Sequence, residues 1–179
     1  GVVMSYPLIG NYGVNHEDSE SQRPWASAFV VRHLAPRGSN FRCEGDLDSY
    51  LKEYDITGIE GVDTRALTRI LRSQGTMNGM ITCAEHFHMK DCLARVRAYR
   101  VEGTVERVTR SAPQVYPAVA EQRLRVALLA YGVQQNMIRC LQNRGCQVTV
   151  YPAHTPARTV LEGGFDGVML SNGPGDPAD

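Results

Sequence analysis

Near the C-terminal end of the chain, Ser171-Asn172-Gly173-Pro174-Gly175-Asp176-Pro177 follows directly on the apolar run that ends at Leu170. Two glycines flanking a proline make a stiff turn with a bare backbone, because neither Gly173 nor Gly175 has a side chain to screen its N–H. Unscreened, oriented amides suit one kind of chemistry: they stabilise the negative oxygen that develops when an amide carbonyl is attacked. Taken alone, the same residues are more commonly a plain tight turn. Their weight therefore depends on the elements around them.

An attacking group is harder to find. The five cysteines are Cys43, Cys83, Cys92, Cys140 and Cys146. None are spaced as C-x-x-C, and an odd count suits a reducing compartment better than a disulfide scaffold. The histidines add no second pair of the kind a zinc site needs, so no metal is expected. His154 reads as an ordinary loop residue. Arg65, Arg69 and Arg72 read as the solvated face of a helix rather than an anion site.

The elements that would position these residues fall into two segments. In residues 1–110, Val2 to Ser5 and Ala28 to Leu34 have strand composition, and Gly10 to Asn15 that of a tight turn. Asp46 to Tyr54 places Leu47, Tyr50, Leu51 and Tyr54 on one helical face. The clearest helix is predicted over 64–74, capped by the Asp63 carboxylate and stopped by Gly75, with Leu67, Ile70 and Leu71 inward. Met80 to Cys83 reads as a strand and Met89 to Tyr99 as a basic amphipathic helix. Residues 111–123 lose periodicity and carry two prolines, which predicts a linker and a domain boundary.

From Leu124 the pattern changes. Leu124 to Ala130 is nearly continuous apolar sequence, as expected of a strand buried on both faces of a parallel sheet. A helix over 135–144 ending at Gly145, a strand over 146–151, a short helix over 155–162 and a strand over 166–170 follow. This β-α-β-α-β alternation predicts an α/β fold with parallel strands and right-handed crossovers, in which the sheet is only begun. In such sheets ligands bind just beyond the carboxyl ends of strands, where the glycine corner falls. Tyr131-Gly132-Val133 lacks the G-x-G-x-x-G fingerprint and no acidic residue ends the second strand, which argues against a nicotinamide site.

Bulk properties exclude other classes. Lys plus Arg (19) equals Asp plus Glu (19), so no field of one sign draws the chain to nucleic acid or anionic lipid. No run approaches the roughly 18 apolar residues that span a bilayer, and no signal peptide pattern opens the chain. A cytoplasmic protein is expected.

Asp166 to Pro177 resembles the signature of class I glutamine amidotransferase domains, and its S-N-G-P-G-D-P form resembles the carbamoyl-phosphate synthase small subunit in particular. Tyr6 to Gly13 and Gly61 to Arg69 are similar to that subunit's N-terminal domain, and Asn136 to Leu141 with Arg144-Gly145-Cys146 to its first glutaminase helix. The resemblance implies a partial small-chain N-terminal domain over 1–110, a linker over 111–123 and the start of a flavodoxin-like glutaminase domain over 124–179. It also implies glutamine as substrate and a large subunit as partner. That subunit would carry ATP and Mg and make carbamoyl phosphate for pyrimidine and arginine biosynthesis; no cofactor is expected in this chain.

By the same resemblance Gly173 and Gly175 belong to the glutamine and oxyanion site. The family attacks glutamine with a Cys thiolate assisted by His and Glu, and its nucleophile sits in a G-x-C-x-G-x-Q elbow that none of the five cysteines matches. No catalytic residue is therefore expected within these residues, and a family serine that contributes to glutamine binding is expected before Gly1. Both ends read as cuts through a longer protein, so the chain is expected to be inactive alone. It departs from the family at Ala130, where an acid is usual, and at Gln134, where a Lys is usual. The competing expectation is a noncatalytic module that docks on the large chain through residues 1–110.

Overall fold

A computed structural model describes residues 1–175 of the chain, which divides into two compact units, Gly1–Arg100 and Val101–Asp179. The first unit is built from short elements: β1 (Val2–Val3), β2 (Leu8–Ile9), β3 (Ala28–Val30), β4 (His33–Leu34), α1 (Leu47–Glu53), β5 (Thr57–Ile59), α2 (Thr64–Gln74) and α3 (Met89–Ala98). β3 pairs in parallel with β1 on one side and β5 on the other, while β2 pairs in parallel with β4. The strand expected over 28–34 is thus two strands in two sheets, and Met80 to Cys83 forms no strand.

The helices of this unit follow their caps. The Asp46 side chain accepts from the Ser49 N–H at 2.8 Å and from its hydroxyl at 2.9 Å, which holds the carboxyl below its ordinary range. Asp63 accepts from the Ala66 N–H at 3.0 Å and Gly75 ends the same helix. The inward face of α2 is Thr64, Leu67, Thr68 and Leu71, whereas Ile70, expected inward, is exposed. Thr68 can take an inward position because its hydroxyl donates to the Thr64 carbonyl four residues back, at 2.6 Å.

The second unit holds α4 (Thr104–Val108), β6 (Gln114–Tyr116), β7 (Leu124–Ala130), α5 (Gln135–Gln142), β8 (Cys146–Pro152), α6 (Ala157–Glu162) and β9 (Gly167–Leu170). Its sheet runs β6-β8-β7-β9, with β8 and β9 parallel to β7 and β6 antiparallel to β8. Here the expected boundaries need correction. The stretch read as a linker, 111–123, contributes β6, where Val115 pairs with Thr149. The break between units falls at Arg100, so α4 lies in the second unit. Prolines flank β6 without entering it, and an edge strand pairs on one side only, so the proline content that suggested a linker is compatible with a strand.

Alternate residues of β7 feed two cores, as the period of a strand requires. Leu128 and Ala130 face one side and pack with Ile138 of α5 and with Cys146, Val148 and Val150 of β8. Ala127 and Leu129 face the other side and pack with Val160 of α6. Helices therefore cover both faces of the sheet, which explains the apolar run that periodicity could not assign to one face. Leu128 has no exposed surface. Leu128→Ala is expected to cost about 2–5 kcal/mol, read as a lowered denaturant midpoint of the second unit; an unchanged midpoint would show that this core does not hold the unit together.

Candidate functional site

The strand order places a crevice. β8 lies to one side of β7 and β9 to the other, and the helices that follow β7 and β8 pack on opposite faces. Chains leaving the carboxyl ends of β7 and β9 consequently diverge, and in open α/β sheets this is where ligands bind. Two loops meet there: Tyr131-Gly132-Val133 after β7 and Ser171 to Gly175 after β9.

Ser171 joins them. It is buried, and its hydroxyl oxygen accepts from the Tyr131 N–H at 3.0 Å and the Gly132 N–H at 3.2 Å while donating to the Asn172 carbonyl at 2.9 Å. A hydroxyl has one donor and two acceptor positions, so its capacity is fully used. The Ser171 N–H also donates to the Leu129 carbonyl at 3.2 Å, extending the parallel ladder by one step.

The two backbones approach so closely that side chains are excluded. A Cβ on Gly173 would lie 2.6 Å from the Tyr131 carbonyl oxygen, and one on Gly132 would lie 2.9 Å from the Gly173 Cα. Gly175 has φ +97°, a left-handed value that L side chains rarely adopt. Residues 172–175 are exposed on top of this contact. The glycine corner therefore stands at the carboxyl edge with its backbone open to solvent, on a rigid base; among the described residues, the amides of Gly173 and Gly175 donate to no protein acceptor. Asp176 and Pro177 of the same motif lie outside the described residues.

α4 crosses this edge. The Thr104 hydroxyl donates to the Pro174 carbonyl at 3.1 Å, and the Thr109 hydroxyl accepts from the Ala153 N–H, just after β8, at 2.8 Å. Between them Glu106 stands 3.9 Å from His154, both largely exposed. His154, expected to be an ordinary loop residue, is thus a surface partner of the helix. Sequence reasoning missed Ser171 as a brace and Thr104 and Thr109 as tethers. Gly132 was a usable signal for the first, because a glycine directly after a buried strand suggests close backbone approach; the threonines gave none.

The cysteines do not join the crevice. Cys146 is buried at the start of β8, the opposite end of that strand from the crevice, and Cys140 is exposed on α5. Cys43, Cys83 and Cys92 belong to the first unit. Among the described residues no cluster of His, Cys, Asp or Glu could hold a metal ion, and no helix is long and apolar enough to cross a membrane. In the first unit, Tyr6 and the segment from Leu8 to Gly13 line an open groove of about 500 Å³ together with Met4 and Leu47.

Comparisons with known proteins match one segment within each unit. Residues 1–81 match the family model for the carbamoyl-phosphate synthase small chain, CPSase domain, and residues 127–179 match that for class-I glutamine amidotransferases. The carbamoyl phosphate synthase small chain of Clostridium perfringens is 44% identical over 178 residues, 99% of this chain and 50% of that protein. The protein of the same name from Bacillus caldolyticus is 44% identical over 99% of this chain and 48% of its own length, and that from Acinetobacter baylyi 40% identical over 99% and 51%. The chain spans about half the length of the curated relatives it matches.

The packing of the corner gives a direct test. Gly173→Ala and Gly132→Ala are each expected to destabilise the second unit by about 1–3 kcal/mol through backbone overlap. Gly167→Ala, where a Cβ meets nothing within 4 Å, is expected to stay within about 0.5 kcal/mol. Equal thermal midpoints for all three variants would contradict the close approach.

Proposed function

This chain belongs to the carbamoyl-phosphate synthase small-chain family, and from that premise we propose that its second unit is part of a glutamine-hydrolysing site. In this reading the Gly173 and Gly175 amides donate to the side-chain carbonyl oxygen of glutamine and hold the negative charge it gains when a thiolate attacks. The thiolate and its His and Glu partners come from parts of the whole protein other than these 179 residues. The ammonia released passes to a large subunit, which carries ATP and Mg and forms carbamoyl phosphate. The protein works in the cytoplasm.

One observation carries the reading: an exposed glycine corner, fixed by Ser171, stands where the strand order reverses. Neutral backbone amides are suited to a charge that appears only during reaction, because they need no counter-charge in the resting state and do not reorganise when it forms. A role as a docking module alone is less well supported, because residues 127–179 match an amidotransferase model in addition to the small-chain match of residues 1–81.

Two measurements test the proposal. The whole protein, assayed with its large chain, is expected to release ammonia from glutamine and to support glutamine-dependent carbamoyl phosphate synthesis. The 179-residue polypeptide alone is expected to release none above buffer. A whole protein without glutaminase activity would refute the function, and an active 179-residue polypeptide would refute the assignment of the nucleophile elsewhere.

A further inference from the structure

The tether from α4 has a consequence for the direction of one amide. All described peptide bonds are trans, and in a trans peptide the C=O and N–H point to opposite sides of the same plane. The Pro174 carbonyl and the Gly175 N–H belong to one such plane. Because the Thr104 hydroxyl donates to that carbonyl at 3.1 Å, it fixes the side to which the Gly175 N–H points. Gly175 itself cannot supply this restraint, since a glycine at φ +97° has no side chain to limit its rotation. Proline cannot supply it either: its ring fixes φ of Pro174 but leaves ψ, the angle that rotates this peptide plane, free.

The contact is close as well as polar. A Cβ on Gly175 would lie 2.6 Å from the Thr104 Oγ1, so the threonine closes one side of the corner and leaves the other open. Thr104 is half-buried and begins α4, which is also held at its far end, where the Thr109 hydroxyl accepts from Ala153. The tether is thus anchored at both ends of the sheet's carboxyl edge, at the loop after β8 and the loop after β9, and does not hang from a single flexible side chain.

We propose that Thr104 is a positioning residue for glutamine hydrolysis: by holding the Pro174 carbonyl, its hydroxyl aims the Gly175 N–H at the oxygen of the attacked amide. This inference rests on the function proposed above. It adds a residue outside the glycine motif, from the segment that precedes the first strand of the parallel sheet. Without the tether the amide would still be present, but it would have to be oriented during each reaction instead of beforehand.

The test uses the whole protein with its large chain. Thr104→Val keeps the shape and removes the hydroxyl, Thr104→Ala removes it without the branched side chain, and Thr104→Ser keeps it. For the Val and Ala variants kcat for glutamine hydrolysis is expected to fall about tenfold, less than for outright loss of a donor. KM for glutamine, the thermal midpoint and synthesis driven by added ammonia are expected to stay within about twofold or a few degrees of wild type, and Thr104→Ser to recover most of kcat. Three results would overturn the inference: Val and Ala variants within twofold of wild type, Ser falling as far as Val, or ammonia-driven synthesis falling in parallel. A wild-type protein that hydrolyses no glutamine would instead remove the function on which the inference rests, and that control separates the two failures.

Discussion

A single hydroxyl joins the two loops of the crevice in the second unit. Ser171 sits where β9 ends, and its oxygen accepts hydrogen bonds from two amides of the loop after β7 while its O–H donates to the Asn172 carbonyl. The Tyr131 N–H also reaches the Leu129 carbonyl at 3.3 Å, so the cost of separating the loops falls on the half-buried Gly132 N–H and the Ser171 hydroxyl, up to about 1–3 kcal/mol for a polar group left without a partner. The glycines at 132 and 173 permit this approach and do not by themselves cause it. A larger residue at either position would push the loops apart and leave the hydroxyl out of reach.

In the site proposed above, this arrangement lets backbone amides take the place of side-chain donors. Side-chain donors at a strand end rotate, and holding them still costs conformational entropy. Amides anchored between a buried serine and a helix-borne threonine have lost that freedom on folding, before any substrate arrives. The sheet beneath supplies the stiffness: β7 is paired on both sides, and its carboxyl-terminal half is buried on both faces.

Much of this was legible in the sequence, for identifiable reasons. Leu124 to Ala130 could be read as a strand because its apolar run is too short for a spanning helix and lacks alternation, although burial on both faces holds for residues 127–130 while Leu124 and Arg125 are exposed. The helix from Thr64 to Gln74 could be bounded to the residue because Asp63 and Gly75 mark its two ends by different physics, side-chain capping and left-handed backbone. β6 was not legible. Three residues carry little periodic signal, and the prolines around it speak of chain stiffness without saying whether a neighbour is present. The split of Ala28 to Leu34 into two strands was hidden for the same reason: a turn of the chain between two sheets leaves the apolar composition intact. The corner at Gly173 and Gly175 was located by its composition, but its brace was not. The hydroxyl of Ser171 acquires its partners only when β7 and β9 become neighbours, and nothing local to residue 171 encodes that.

The bond between Thr104 and Pro174 spans 70 positions of the chain. Contacts of such span form only after the intervening segment has been organised, because the entropy of closing a long loop must be overcome before the contact gives anything back. During synthesis α4 is made before any strand of the parallel sheet, yet it has nothing to hold until β9 is complete. The clasp is therefore a late event in folding, and its strength bears on how slowly the finished unit comes apart more than on how quickly it assembles.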